Sequence, residues 1–265
     1  PTRRSSDLVV RGSDSPPLTD LFVRPLDYLD CTGASSTDDD GSIVDYIWSI
    51  QDAPADSTAL PTPENARDTQ FFVDLAGRYV ITLTVVDDRG CASEPTPITV
   101  VSRPDEDIHI QLVWHTPSDP DETDTGFGVG SDIDIHLLHP NGCWESPIWD
   151  THFRARSPNW GNPGSRDDDP SLDIDDTDGA GPENINLNNP ENGVTYLVAA
   201  HYYDDHGFGP STATIRIYIY GELVFEQSKL MPRTDFWWVA AAVTWPSALV
   251  TGVDQEYDST PPCAR

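Results

Sequence analysis

Apolar residues fall in short runs that alternate with polar ones and are broken by Pro, Gly, Asp and Ser. Ile43 to Ile50 (IVDYIWSI) sets Val44, Tyr46 and Trp48 against Ile43, Asp45 and Ile47. Tyr79 to Val86 (YVITLTVV) sets Val80, Thr82 and Thr84 against Tyr79, Ile81, Leu83 and Val85. A period of two marks a strand with one buried face. Further strand-like runs are Ile108 to His115, Ile133 to His139, Val194 to Tyr203, Ala213 to Tyr220, Leu223 to Phe225 and Phe236 to Trp245. No stretch sustains an amphipathic 3.6-residue period, so the chain reads as all-β. The adjacent Trp237 and Trp238 then point to opposite faces of one strand.

Arg103 to Asp107 (RPDED) interrupts the pattern with a proline and a charge cluster, and divides the chain. The pattern predicts a sandwich over 21–103, a second sandwich of jelly-roll type with long acidic loops over 104–253, and a flexible tail over 254–265. Pro1 to Leu8 (PTRRSSDL) reads like a translated sequencing adapter, and Gly12 to Asp20 (GSDSPPLTD) like a linker, so 1–20 is set aside from the folded part.

The first half carries CTGASSTDDDGSIVDYIWSI followed by FFVDLAGRYVITLTVVDDRG. This order resembles the polycystic-kidney-disease (PKD) domain, an immunoglobulin-like sandwich. Trp48 is followed by Ser49, Ile50 and Gln51 in place of the family's usual WDFGDG run. The resemblance implies a spacer or adhesion module rather than an enzyme. In the second half, LVWHT, SDIDIHLLHPNG, DDTDGAGPEN and VTYLVAAHYY resemble the YfaP-type bacterial domains, which imply no particular activity.

The 265 residues include 45 acids and only 15 bases, for a net charge of −30. From residue 104 onward there are 28 acids against 7 bases. Such a surface repels phosphate backbones, which argues against a nucleic-acid partner. No apolar run approaches the roughly 20 residues of a membrane helix, which argues against insertion.

The four cysteines, at 31, 91, 143 and 263, contain no C-x-x-C pair, which speaks against a thiolate zinc site and for an extracellular or cell-envelope location. Cys31 and Cys91 flank the strands of the first sandwich and are expected to bond. Closing that loop is worth ~4 kcal/mol in the chain-entropy picture. Cys143 and Cys263 are then left to pair or stay free.

Asp167 to Glu183 (DDDPSLDIDDTDGAGPE) holds eight carboxylates and no base. Like charges so crowded need a counter-ion if the loop is compact, and calcium takes six to eight oxygens from such loops. It is not an EF-hand, because Ile174 and Ile185 fall at the first and last ligand positions. The expected calcium ligands are Asp173, Asp175, Asp176 and Asp178, completed by Asp132 and Asp134, which share one face of their strand. The alternative is a solvated loop whose charges avoid one another.

Catalytic motifs are absent. There is no H-E-x-x-H and no G-x-S-x-G elbow, and the Gly126 to Gly130 turn (GFGVG) lacks the lysine of a phosphate loop. His136 and His139, three apart on a strand, face opposite ways, so the histidines read as structural or surface groups. Trp144, Trp149 and Trp160 are candidate contacts for a glycan or protein ligand, since loop aromatics stack on sugars or anchor partners. The same rings can instead fold inward as a satellite core.

The reading is a non-catalytic extracellular binding or adhesion module, calcium-stabilised, cut from a larger bacterial protein. The alternatives are accessory domains of a secreted peptidase or glycosidase, and a plain spacer.

Overall fold

The computed structural model describes residues 4–5, 9–10, 20–126 and 128–264. The remainder of the presumed adapter and linker lies outside the described residues. The chain divides into two compact units, Pro1–Pro104 and Asp105–Arg265. All regular structure among the described residues is β.

In the first unit the strands are β1 (Arg4–Ser5), β2 (Val9–Val10), β3 (Leu21–Val23), β4 (Tyr28–Thr32), β5 (Thr37–Asp38), β6 (Ile43–Asp52), β7 (Pro61–Thr62), β8 (Asp68–Phe72), β9 (Gly77–Asp87) and β10 (Thr96–Ser102). One sheet has the order β3-β10-β9-β6 and the other β2-β4-β8-β7, with β1 and β5 as a separate pair. The core between them joins Leu29 and Cys31, Phe71 and Val73, Trp48, Ile98 and Val100 to Tyr79, Ile81, Leu83 and Val85. The core-facing set of β9 therefore falls where the alternation puts it, while Val80 and Thr82 on the opposite face are buried as well.

On β6 the alternation breaks. The ladder to β9 shifts register between Ile43 and Asp45, so Ile43 and Tyr46 both pack against the core while Val44 is exposed. A bulge inserts one residue and turns its neighbours to the other face, which a strict period of two cannot foresee.

The expected Cys31–Cys91 bond is not formed. Cys31 is buried on β4, inside the sandwich, whereas Cys91 is exposed in the turn after β9. Burial pushes the Cys31 thiol up to about 12, the state of an inert core cysteine. The bond is instead Cys143–Cys263, with the two Cα atoms 4.1 Å apart.

In the second unit the strands are β11 (Ile108–His115), β12 (Asp132–Leu138), β13 (Asp150–Thr151), β14 (Ser171–Ile174), β15 (Glu183–Leu187), β16 (Thr195–Asp204), β17 (Ser211–Ile219), β18 (Glu222–Met231), β19 (Trp237–Thr244) and β20 (Leu249–Tyr257). Two five-stranded sheets, β14-β15-β11-β17-β18 and β13-β12-β16-β19-β20, form the tandem partner of the first sandwich. Their inner faces interdigitate through Ile108, Ile110, Leu112, Ile215 and Ile217 on one side and Ile133, Ile135, Val198, Trp238 and Val243 on the other.

The segment from 254 is not a free tail. β20 runs to Tyr257 as an edge strand paired with β19, and Cys263 is tied to Cys143. The acidic run is likewise not wholly loop, since β14 lies inside it and Glu183 opens β15.

Candidate functional site

Every residue of β12 is buried. Ile133, Ile135 and Leu137 face the sandwich core, so Asp132, Asp134 and His136 lie on the outer face of the sheet, which in a bare sandwich would meet solvent. That face is roofed by the segment after β12. Trp144 packs with Leu138, Ala199, Trp237 and Val239 in a separate apolar cluster, and the Cys143–Cys263 bond ties this roof to the C-terminal segment.

Trp144 and Trp160 are therefore buried, and Trp149 is partly buried against the main core. This corrects the expectation that the three rings are surface contacts. Each finds a partner at home: Trp160 lies parallel to Tyr196 at 5.7 Å, Trp149 tilts over His139 at 4.8 Å, and Trp144 meets the edge of His136 at 6.1 Å. As expected, Trp237 and Trp238 face opposite ways, Trp238 into the main core and Trp237 under the roof.

The acidic run folds back onto β12. Oxygens of Asp134, Asp175 and Glu183 lie within 4.8 Å of one another. Asp132 feels the charges of Asp175 and Asp176, and burial, then these neighbours, push its carboxyl up to about 7. Asp134 and Glu183 are raised well above the carboxylate range, first by burial and then by neighbouring carboxylates, Asp132 and Asp175 for Asp134 and Asp134 for Glu183, as expected when anions are crowded in a low-dielectric place. Asp176 is pushed up to about 6 by burial and by Asp178.

Glu183 holds the group together. Its Oε2 accepts the Ile135 amide at 2.7 Å, at a point where β13, which pairs only with Leu137 and Leu138, leaves the edge of β12 open. Three oxygens in the cluster are buried without a hydrogen-bond partner: Asp132 Oδ1, Asp134 Oδ2 and Asp175 Oδ1. Orphaned buried carboxylate oxygens are costly, and an all-oxygen donor set of this kind fits a hard divalent cation.

The predicted ligands do not all converge. Asp173 turns aside: it accepts from Ser171 Oγ at 2.9 Å and from the Asn186 side chain. Asp178 accepts the Gly126 amide, so it clasps the Gly126 to Gly130 turn to the acidic loop. That clasp needs a glycine, because a Cβ on Gly130 would lie 2.2 Å from the Asp178 carbonyl oxygen. Glu183 is the member the sequence reading did not single out. It ends the acidic run, and only the folding of β15 beside β12 brings it into the group.

Next to the carboxylates lies a set of imidazoles. His201, on β16, pairs in register with Asp134 and stacks on Trp237 at 4.2 Å. His136 stacks on His152 at 5.2 Å, and its Nδ1 is 2.8 Å from Asp150 Oδ2. Burial depresses His136 and His201 to about 3 and raises Asp150 to about 8, so the rings are neutral. His139 faces the other way, toward Trp149, Trp160 and Tyr196, as its spacing from His136 requires.

Comparison with known proteins bears mainly on the first unit. Residues 20–101 match the family model described as K319L-like, PKD domain. The first unit carries a PKD domain. The solved PKD domain of the KIAA 1837 protein is 28% identical, covers 34% of this chain and 82% of its own, and has a TM-score of 0.28. A carbohydrate-binding module of the β-sandwich superfamily is 14% identical, covers 96% of this chain and 94% of its own, and has a TM-score of 0.27. Scores this low carry no argument about either unit. Over 118 residues the chain is 29% identical to the pre-pro-metalloprotease PrtV of Vibrio cholerae serotype O1 (strain M66-2). That stretch is 41% of this chain but spans only 11% of PrtV. No helix among the described residues is long and apolar enough to cross a membrane.

Proposed function

We propose that the chain is a non-catalytic part of an extracellular or cell-envelope protein, in which the PKD domain accompanies an acidic sandwich that calcium stabilises. Its role is to present a folded surface to a glycan or protein partner. The reading is carried by the convergence of Asp134, Asp175 and Glu183, with Asp132 under the charge of Asp175 and three buried carboxylate oxygens left without donors. The disulfide supports an oxidising compartment. With the loop tryptophans folded inward, the partner surface moves elsewhere, and edge strand β18 offers the exposed side chains of Leu223, Val224 and Leu230.

Thermal melting of the whole chain tests the calcium reading. Calcium at 100 times its dissociation constant stabilises by ~2.7 kcal/mol, so one of two transitions rises by several degrees over the chelated sample. The Asp175→Asn variant loses that response. Superimposable curves for the unsubstituted chain rule the ion out.

The similarity to a stretch of PrtV favours one second reading, that these units accompany a hydrolase. Under either reading the isolated chain turns over neither peptides nor glycans. Turnover that disappears when a named carboxylate is substituted overturns the non-catalytic assignment.

A further inference from the structure

We propose that Asp134, His136 and His201 bind a divalent transition-metal ion of the zinc class, with Asp150 orienting His136. One donor atom from each of the three residues lies within 4.8 Å of the other two. Asp134 Oδ2 is 3.8 Å from His201 Nδ1. Bonds of about 2.1 Å in tetrahedral geometry place donors about 3.4 Å apart, so this pair closes onto an ion by a few tenths of an ångström, and the separations to His136, each within 4.8 Å, by at most about 1.4 Å. The three residues are 2%, 0% and 6% exposed, and neither Asp134 Oδ2 nor His136 Nε2 has a hydrogen-bond partner. An imidazole nitrogen and a carboxylate oxygen, both buried, both unpaired and on one face of β12, are what a metal ion would satisfy.

The surroundings match that role. Metal-binding histidines hold their second nitrogen against a carboxylate, which fixes the ring and strengthens the ligand. His136 Nδ1 is held by Asp150 Oδ2, and Asp150 is itself fixed by the Glu145 amide at 2.6 Å. His201 Nε2 faces Asp235 at 4.0 Å. The neighbouring triplet of His136, Asp150 and His152 also lies within 4.8 Å, but two of its ring nitrogens are committed within it. His136 Nδ1 is spent on Asp150, and His152 Nδ1 donates to the Asp150 carbonyl at 3.1 Å. It is the support of the site, not the site.

Nitrogen donors distinguish this site from the calcium cluster, with which it shares Asp134. Imidazole suits zinc and its neighbours, whereas calcium takes oxygen. Trp144 and Trp237 close over the rings, so the ion's role is structural, fastening β12 to β16 beneath the roof.

The test uses the full chain stripped with a chelator and then titrated with Zn2+ by calorimetry and with Co2+ by visible absorption. One equivalent is expected to bind, to persist in excess calcium, and to show imidazole scattering in the X-ray absorption spectrum of the zinc form. His201→Gln and Asp150→Asn each weaken binding about 10- to 100-fold, while His115→Gln, at an exposed pair with Glu122, leaves it unchanged. Circular dichroism verifies that each variant folds, and the absorption spectrum of the unsubstituted chain needs no variant. Failure to take up one equivalent, ligation by oxygen alone, or unchanged affinity in a folded His201→Gln variant overturns the proposal. Loss of the calcium response with zinc binding intact overturns only the calcium reading.

Discussion

Both units bury aspartates, and their most deeply buried ones are treated in opposite ways; half-buried Asp38 of the PKD unit, with neither oxygen hydrogen-bonded, stands outside the contrast. In the PKD unit, Asp74 is 3% exposed and saturated: Oδ1 accepts from Ser57 Oγ, Tyr79 OH and the Leu75 amide, and Oδ2 accepts from the Thr58 amide, all within 2.9 Å. Asp87, 1% exposed, likewise accepts the amides of Arg89 and Cys91. In the second unit, Asp132, Asp134, Asp150 and Asp175 each keep an oxygen with no donor; Asp132 and Asp134 lie mostly beside other acids, and Asp150 beside His136 and His152. A buried carboxylate that is fully hydrogen-bonded is a structural fastener. One left short of donors beside its own kind points to a missing positive charge.

Four measurements test whether the two units differ in this way. Substituting Cys143 and Cys263 by Ser releases a closed loop spanning 120 residues. This should cost the second unit about 5 kcal/mol and leave the PKD transition in calorimetry unmoved. Next, Asp74→Ala removes four hydrogen bonds to one buried carboxylate, and should destabilise the PKD transition by about 3 kcal/mol, with or without calcium. A calcium-dependent loss there would erase the distinction between the units.

The third concerns pH. Burial lowers His109 to about 4 from 6.5, against a smaller opposing pull from Asn186. A depressed folded value means that stability is intact above pH 6.5 and is lost as pH falls toward 4, because the unfolded chain takes up the proton first. Between pH 7 and pH 5, denaturant titrations should show the unsubstituted chain losing about 2 kcal/mol more than His109→Gln. Parallel profiles would show that His109 is not held neutral. The smallest effect belongs to Asp134→Asn, which should raise the stability of the chelated protein at pH 8 by about 1 kcal/mol by removing a crowded buried charge. The same variant should respond to neither calcium nor zinc. A loss of stability without metal would mean that the charge is already compensated.

Much of the fold was legible in the pattern. Tyr79, Ile81, Leu83 and Val85 fall on the core side of β9 as their alternation requires, and the run from Ile108 to His115 is a strand from end to end. What misled was local. The bulge on β6 turned Val44 outward, and the polar surface of β20 hid a strand that only pairing with β19 supports. Of the candidate site, Asp132, Asp134, Asp175 and Asp176 were visible as crowded acids. Glu183, Asp150 and His201 were not, since each joins through a neighbour distant in sequence.

The period-two pattern, and with it the all-β class, the PKD resemblance of the first half and the excess of acid in the second are written in the order of the residues. These are local or compositional properties, read without knowing which strand lies beside which. Tertiary structure alone decided that the outer face of β12 would be roofed, that Cys143 would find Cys263, and that the loop tryptophans would serve as core. Burial is a property of what covers a residue, and the cover here comes from segments far along the chain. The same aspartates that would be ordinary solvated charges on an open sheet are, beneath that roof, a demand for a cation.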